Sequence, residues 1–195
     1  MSGYLDAVEP QVLHAAVAPE TDLEAFLLEQ PEVRAGMAWG IPRYGHPEGE
    51  VYRHVREVLD NIDRLPDLDD VTRRDLRLVA ILHDTWKYAE DKSEPRDWSQ
   101  HHGRLARAFA KTYVHKARVL ELIEWHDEAY YCWRLDALYQ RPSKARQRLD
   151  ALLARFAGEL NFYYRFFVCD TRTGDKNLAP IAWFERESGL VPIVW

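Results

Sequence analysis

Long apolar runs are missing from the sequence, and the longest clean one spans only residues 78–82. A membrane-spanning helix needs roughly 18 apolar residues or more in succession, so we expect no transmembrane segment and no membrane partner. Residues 1–6 also lack the basic and apolar regions that open a signal peptide. These absences predict a cytoplasmic protein.

The sequence contains few cysteines, and its basic residues are fewer than its acidic ones. The two cysteines, Cys132 and Cys169, form neither a C-x-x-C pair nor a disulfide scaffold, which favours reduced thiols. The 26 basic residues are outnumbered by 32 acidic ones, for a formal net charge of −6. Since proteins that coat nucleic acid need a general positive field, we expect no general nucleic-acid binding.

Alternating strand patterns are rare as well. Apolar residues recur mostly at spacings of three and four, which is the period of an amphipathic helix. The 195 residues, 47% of them hydrophobic, suffice for one good core. The sequence therefore predicts an all-α fold in a single domain.

The predicted helices carry most of the interesting polar residues. An early helix is capped by Thr21 and uses Leu23, Phe26 and Leu27 as its apolar face. A loop rich in glycine and proline follows over residues 36–49. The next helix is predicted from Val51 to near Pro66 and carries His54, and the one after it runs from about Asp70 to Tyr88 and carries His83 and Asp84. A helix capped by Ser99 carries His102, and a helix from about Lys116 to Tyr130 carries His126. A last helical stretch begins at Pro142, is interrupted at Gly158 and leads to Asp170.

The adjacent pair His83-Asp84 follows the longest apolar run of the sequence, residues 78–82. Burying an ionised carboxylate is costly unless a cation compensates it, and a metal ion would do so. Together with His54 and Asp170 the pair offers nitrogen and oxygen ligands that suit a divalent transition metal, namely Mn²⁺, Fe²⁺, Co²⁺, Ni²⁺ or Zn²⁺, and that also admit Mg²⁺. The sequence is compatible with one ion or two, and the ligands of the second would be His102 and His126, with Asp84 bridging the two ions.

The ordered set His54, His83-Asp84 and Asp170 resembles the H…HD…D signature of the HD superfamily of phosphohydrolases, and His102 and His126 look like its additional histidines. The resemblance covers about residues 40–187, which we take as the core of a single HD domain over 1–195, with a helical extension at 1–39. Residues 46–54 and 80–87 are similar to the HD domain of bacterial tRNA nucleotidyltransferases. Trp86 departs from the glycine common there, and no nucleotidyltransferase head precedes His54, so we expect a stand-alone HD domain.

This resemblance implies an all-α bundle and hydrolysis of a nucleotide or other small phosphate ester by a metal-activated water. Asp84 is then the first candidate to orient or deprotonate the water. Lys87, at i+4 from His83, is predicted to hold the phosphate, and Arg53 is a weaker candidate for the same task. His46, in the loop ahead of the metal helix, is a candidate substrate contact.

Several alternatives stay open. His101 competes with His102 as a ligand, and Asp127 is expected to be a solvated or ligand-orienting acid. Glu90, Asp91 and Glu94 are expected to form a solvated loop, with a catalytic acid as the alternative. The six-residue set also resembles the di-iron oxygenase variant of the fold, and a non-catalytic nucleotide-binding domain is the third function. Nothing in the sequence indicates the oligomeric state.

Overall fold

The computed structural model describes residues 7–195, so residues 1–6, on which the prediction of no signal peptide rests, lie outside the described residues. Helices dominate this part of the chain, and its β-structure amounts to an isolated bridge between Arg43 and His46, which confirms the all-α fold class. None of the described helices has the length and apolar character that crossing a bilayer requires. The helices are α1 (Pro10–Val17), α2 (Asp22–Glu29), α3 (Pro31–Met37), α4 (Val51–Asp63), α5 (Asp70–Leu82), α6 (His102–Ala110), α7 (Ala117–Trp125), α8 (Glu128–Trp133), α9 (Pro142–Arg155), α10 (Leu160–Thr171) and α11 (Ala179–Ser188).

Helix α2 begins as predicted, and Leu27 of its predicted apolar face is buried, but Phe26 is not. The Thr21 hydroxyl accepts from the amide of Glu24, at 3.1 Å. The buried side chains are Glu24, Leu27 and Leu28, whereas Phe26 is 43% exposed. Glu24 turns inward because its carboxylate pairs with the buried guanidinium of Arg77 on α5. Helix α2 thus buries an ion pair in addition to the predicted Leu27 and to Leu23, which packs partly buried against the core.

Helix α5 ends at Leu82, six residues before the predicted end near Tyr88. The Thr85 hydroxyl donates to the Leu82 carbonyl at 2.8 Å, which occupies an acceptor at the helix end and stabilises the turn. Gly36 of α3 packs on this turn so closely that a Cβ atom there would lie 1.8 Å from the Thr85 carbonyl oxygen. A short 3₁₀ turn then covers Lys87–Ala89. The His-Asp pair therefore lies at a helix end whose position is fixed by packing against α3.

Helices α6 and α7 approach each other through a glycine. A Cβ atom on Gly103 would lie 2.6 Å from the Glu124 carbonyl oxygen, so only glycine permits this contact. The cap of α6 is His101, whose Nδ1 accepts from the Gly103 amide at 3.1 Å, and the expected cap at Ser99 is wrong. Helix α7 ends at Trp125 and not near Tyr130, because the chain turns at residues 126–127 before α8 begins.

The last three helices complete the core. Helix α9 ends at Arg155, just before Gly158, and α10 carries Asp170 near its C-terminal end. Helix α11 packs Phe184 against Tyr163 and Phe167 of α10. The C-terminal part therefore folds back on the body.

Candidate metal centre

Four side chains from α4, the end of α5 and α10 form the first cluster. His54 Nε2 lies 3.3 Å from His83 Nε2, 3.0 Å from Asp170 Oδ1 and 3.7 Å from Asp84 Oδ2. His83 Nε2 lies 3.4 Å from the same Asp84 oxygen. Apart from Asp170, which is slightly exposed, these side chains are buried. The structure thus brings together the four residues of the predicted first site.

The second cluster lies on the other side of Asp84. His102, the first residue of α6, and His126, which follows α7, place their Nε2 atoms 3.2 Å apart. Both nitrogens face Asp84 Oδ1, at 3.5 and 3.4 Å. Asp127 Oδ2 lies 3.4 Å from His102 Nε2, so this carboxylate, which was expected to be a solvated or ligand-orienting acid, belongs to the cluster. The adjacent doublet His126-Asp127, which repeats His83-Asp84, was the signal for it.

Asp84 joins the two clusters through its two oxygens. Oδ2 faces the first cluster and Oδ1 faces the second, as the distances above show. Within the described residues Oδ1 has no hydrogen-bond partner although it is buried. Burial opposes ionisation, but His83 and Lys87 outweigh it and hold the pKa of Asp84 well below its usual range. A buried, ionised carboxylate with a free oxygen is suited to bridge two cations.

The histidine tautomers show whether the clusters suit a metal. His83 Nδ1 lies 2.9 Å from the Ala80 carbonyl oxygen and His126 Nδ1 lies 2.9 Å from that of Ile123. A carbonyl only accepts, so each Nδ1 carries a proton, and in its neutral form each ring turns its Nε2 lone pair toward the cluster. Two facing lone pairs repel unless a cation lies between them. The donor set therefore fits a divalent metal ion in each cluster.

The remaining histidine of each cluster faces a glutamate from a loop. His54 Nδ1 lies 3.5 Å from Glu48 Oε1, and His102 Nδ1 lies 3.3 Å from Glu90 Oε2. Both glutamate side chains are only 3 to 4% exposed. Burial opposes ionisation of each, but the facing histidine lowers the pKa of both to about 2. The expectation of a solvated loop is therefore wrong for Glu90, whereas Asp91 and Glu94 are exposed.

The two helix-end histidines differ in their protonation. Burial lowers the pKa of His83 to about 3. Burial acts on His126 in the same direction, but Asp127 and Asp84 outweigh it and raise its pKa to about 9. In the metal-free protein a proton on His126 thus supplies part of the positive charge that the second cluster needs.

Of the three predicted substrate contacts, two lie next to the clusters and one lies on the surface. Lys87 forms an ion pair with Asp84 Oδ2, and it gets there through the 3₁₀ turn and not along a helix face. The His46 ring packs edge-on against that of His54, with centroids 5.4 Å apart. Arg53 lines neither of the cavities next to the clusters, and its side chain is 56% exposed and pairs with Glu50 on the surface.

Of the two neighbouring histidines, His102 is the one whose Nε2 lies close to both Asp84 and Asp127. The His101 ring is used on both sides for other contacts, since Nδ1 caps α6 and Nε2 lies 3.0 Å from the Tyr131 hydroxyl. His101 therefore supports the neighbouring ring of His102, with centroids 4.2 Å apart.

Comparison with known proteins identifies the family. The sequence model described as HD domain matches residues 51–156, which is more than half of the chain. The chain belongs to the HD family. Most HD proteins are metal-dependent phosphohydrolases, so the match indicates a hydrolase-type, metal-binding domain without singling out the nucleotidyltransferase branch. The matched region holds every ligand candidate except Asp170. No curated protein and no solved structure matches the chain.

Two cavities open onto the two clusters. One of 380 Å³ is bordered by His126, Asp170 and Lys176, together with apolar side chains such as Phe167. The other, of 600 Å³, is bordered by His102 and Glu90 and by many cationic and aromatic side chains. Lys87, His46 and Asp127 line both, so the cavities meet beside the metal ligands. Cavities of this size accommodate small ligands.

Proposed function

We propose that this HD protein is a metal-dependent phosphohydrolase that acts on a nucleotide or another small phosphate ester. The observation that carries the proposal is the pair of buried histidine and carboxylate clusters that share Asp84 and open to a cationic cavity. Two metal sites next to each other are the arrangement that stabilises both the attacking and the leaving oxygen in phosphate ester hydrolysis.

The charge of the 600 Å³ cavity supports an anionic substrate. Its lining includes two carboxylates and six cationic side chains, in a chain whose overall charge is −6. Cations in a confined cavity raise the local concentration of anions despite a negative net charge. The cations are Arg43, Lys87, Lys92, Arg96, Arg134 and Arg148.

The roles that we assign to the two carboxylates, Asp84 and Asp127, differ from those expected from the sequence. Asp84 lines neither cavity and has both oxygens directed at the clusters, so we assign it as the bridging ligand. Asp127 lines both cavities and its side chain is 24% exposed. It is therefore the better placed group to orient a water molecule next to a substrate, a role first given to Asp84.

Lys87 is placed to act on both ligand and substrate. Its ammonium group contacts Asp84 while its side chain lines the two cavities. As a compact point charge with three donors, it can keep Asp84 ionised and also bind a phosphoryl oxygen. Divalent ions, when bound, supply Lewis acidity that lowers the pKa of water and offsets the charge of the phosphoryl group.

Metal analysis joined to a substrate screen tests the proposal. The purified protein is stripped with a chelator, reloaded with Mn²⁺, Fe²⁺, Co²⁺, Ni²⁺, Zn²⁺ or Mg²⁺ in turn, and assayed for phosphate release from nucleotides and other phosphate esters. We expect release from at least one class of ester that depends on added metal and is lost in Asp84→Ala. Two bound irons with oxygen consumption and no phosphate release would instead establish the oxygenase.

A further inference from the structure

The helix that borders the large cavity is widened at one turn. Directly after α8, residues Arg134–Leu138 form a π-helical turn, which ends at Tyr139. Such turns are rare and occur frequently at functional sites, because the extra residue redirects neighbouring side chains. Here Arg134, Leu135 and Tyr139 all line the 600 Å³ cavity. The widened turn thus supplies one wall of this cavity.

Arg134 is held in this wall by aromatic rings and not by acids. Its guanidinium lies 5.7 Å from the centre of the Tyr130 ring and 5.3 Å from that of Tyr139, and it donates to the Tyr139 hydroxyl. No carboxylate of residues 7–195 lies within ion-pair distance of it, whereas Arg96 and Arg148 in the same cavity pair with Glu90 and Glu128. Arg134 is a positioned cation whose charge is left for a ligand.

The loop ahead of α4 adds a second such cation. Arg43 also lacks an ion pair with the described residues, and its guanidinium lies 5.8 Å from the centre of the Trp39 ring. Two backbone hydrogen bonds with His46, at 3.0 and 2.8 Å, fix Arg43 in a tight turn. The Gly45 amide donates to Asp175 at 2.6 Å, which ties the turn to the body. Arg43 is therefore placed by an ordered loop.

We propose that Arg134 and Arg43 bind a second phosphate group of the substrate, separate from the one at the metal clusters. The inference rests on the proposed function for the position of the first phosphate. A guanidinium binds phosphate through two parallel donors, and neither of these two guanidinium groups pairs with a carboxylate of residues 7–195. Five aromatic side chains in the lining, Trp39, Trp98, Tyr130, Tyr131 and Tyr139, provide faces for a base. The substrate class is thus a nucleotide with two separate phosphates.

Equilibrium titration of the full chain, both as purified and after chelation, tests this assignment. The probes are adenosine 3′,5′-bisphosphate and AMP, which differ by one phosphate. We expect the bisphosphate to bind about ten-fold or more tightly, as one charge-assisted contact predicts. Arg134→Gln should weaken bisphosphate binding by about the same factor and leave AMP binding within about two-fold.

Arg141→Gln is the matched control, since this exposed arginine lies seven residues further along and lines neither cavity. It should change neither affinity. Equal affinities for the two probes, no measurable binding of the bisphosphate, or equal weakening of both probes in Arg134→Gln would overturn the assignment. Intact discrimination without phosphate release from any ester would contradict the proposed function alone.

Discussion

The two clusters are built to one plan but differ in how they meet the cavities. In each, one histidine at a helix end donates from Nδ1 to a carbonyl three residues earlier, and the other faces a buried glutamate. His54 and His83 of the first cluster line neither cavity, whereas His102 and His126 of the second each line one. The first cluster thus reaches a cavity only through Asp170, whereas both histidines of the second cluster face one.

Removing the shared carboxylate should have the largest effect, because it belongs to both clusters. We expect Asp84→Ala to lose both ions and metal-dependent phosphate release, while the far-ultraviolet circular dichroism keeps its helical form. Inductively coupled plasma mass spectrometry of the dialysed protein measures the metal content.

Asp150→Ala is the control for that change, because Asp150 is exposed on α9 and, among residues 7–195, pairs only with Arg146. It should retain the wild-type metal content. An Asp84→Ala protein that still holds two ions and full activity would remove Asp84 from the centre.

Removing one histidine should separate the clusters. We expect His54→Ala to lose the ion of the first cluster and His102→Ala that of the second, so that each variant binds one ion fewer than the wild type. His115→Ala, an exposed histidine outside the clusters, should change nothing. Loss of both ions in either variant would show that the clusters do not fill independently.

The orienting glutamates should have a smaller effect than the ligands. Carboxylates that orient ligating histidines typically contribute about 10- to 100-fold in metal affinity. We therefore expect Glu48→Gln to weaken only the first site and Glu90→Gln only the second, by amounts in this range. Competition with a chromogenic chelator measures the affinities, and Glu94→Gln, exposed in the loop of Glu90, is the control. Unchanged affinities would leave both glutamates as purely structural groups.

The histidine set was predictable from the sequence, but its supports were less so. An adjacent His-Asp pair after an apolar helix has a chemical meaning that periodicity and ligand type reveal. Glu48 and Glu90 lie in loops, where no periodic pattern fixes the direction of a side chain. Their role depends on long-range packing, such as the approach of α6 to α7 at Gly103, which brings His102 to its cluster.

Lys87 and Arg53 show that a position next to a ligand candidate in the sequence does not by itself place a side chain in the site. Both lie next to ligand candidates, yet Lys87 reaches the centre through a turn that was predicted as helix, and Arg53 pairs with Glu50 on the surface. Helix ends depend on capping and on contacts such as that of Gly36 with Thr85, which a single sequence does not display. The π-helical turn of Arg134 was missed for the same reason.

The pH dependence of metal binding should be the smallest difference between the clusters. A metal ion competes with the proton on His126, whose pKa is raised to about 9, so affinity of the second cluster should rise with pH up to that value. His83, with a pKa of about 3, is already neutral and should add no such dependence between pH 6 and 9. Calorimetry of His54→Ala and His102→Ala in buffers of different ionisation enthalpy counts the released protons. Equal release from both clusters would contradict the assignment.

Anomalous X-ray diffraction from crystals of the Mn²⁺-loaded protein tests the central claim, a two-ion centre bridged by Asp84, most directly. We predict two anomalous peaks, one among His54, His83 and Asp170 and one between His102 and His126, with Asp84 in contact with both. A single peak, or peaks away from Asp84, would contradict the two-ion centre.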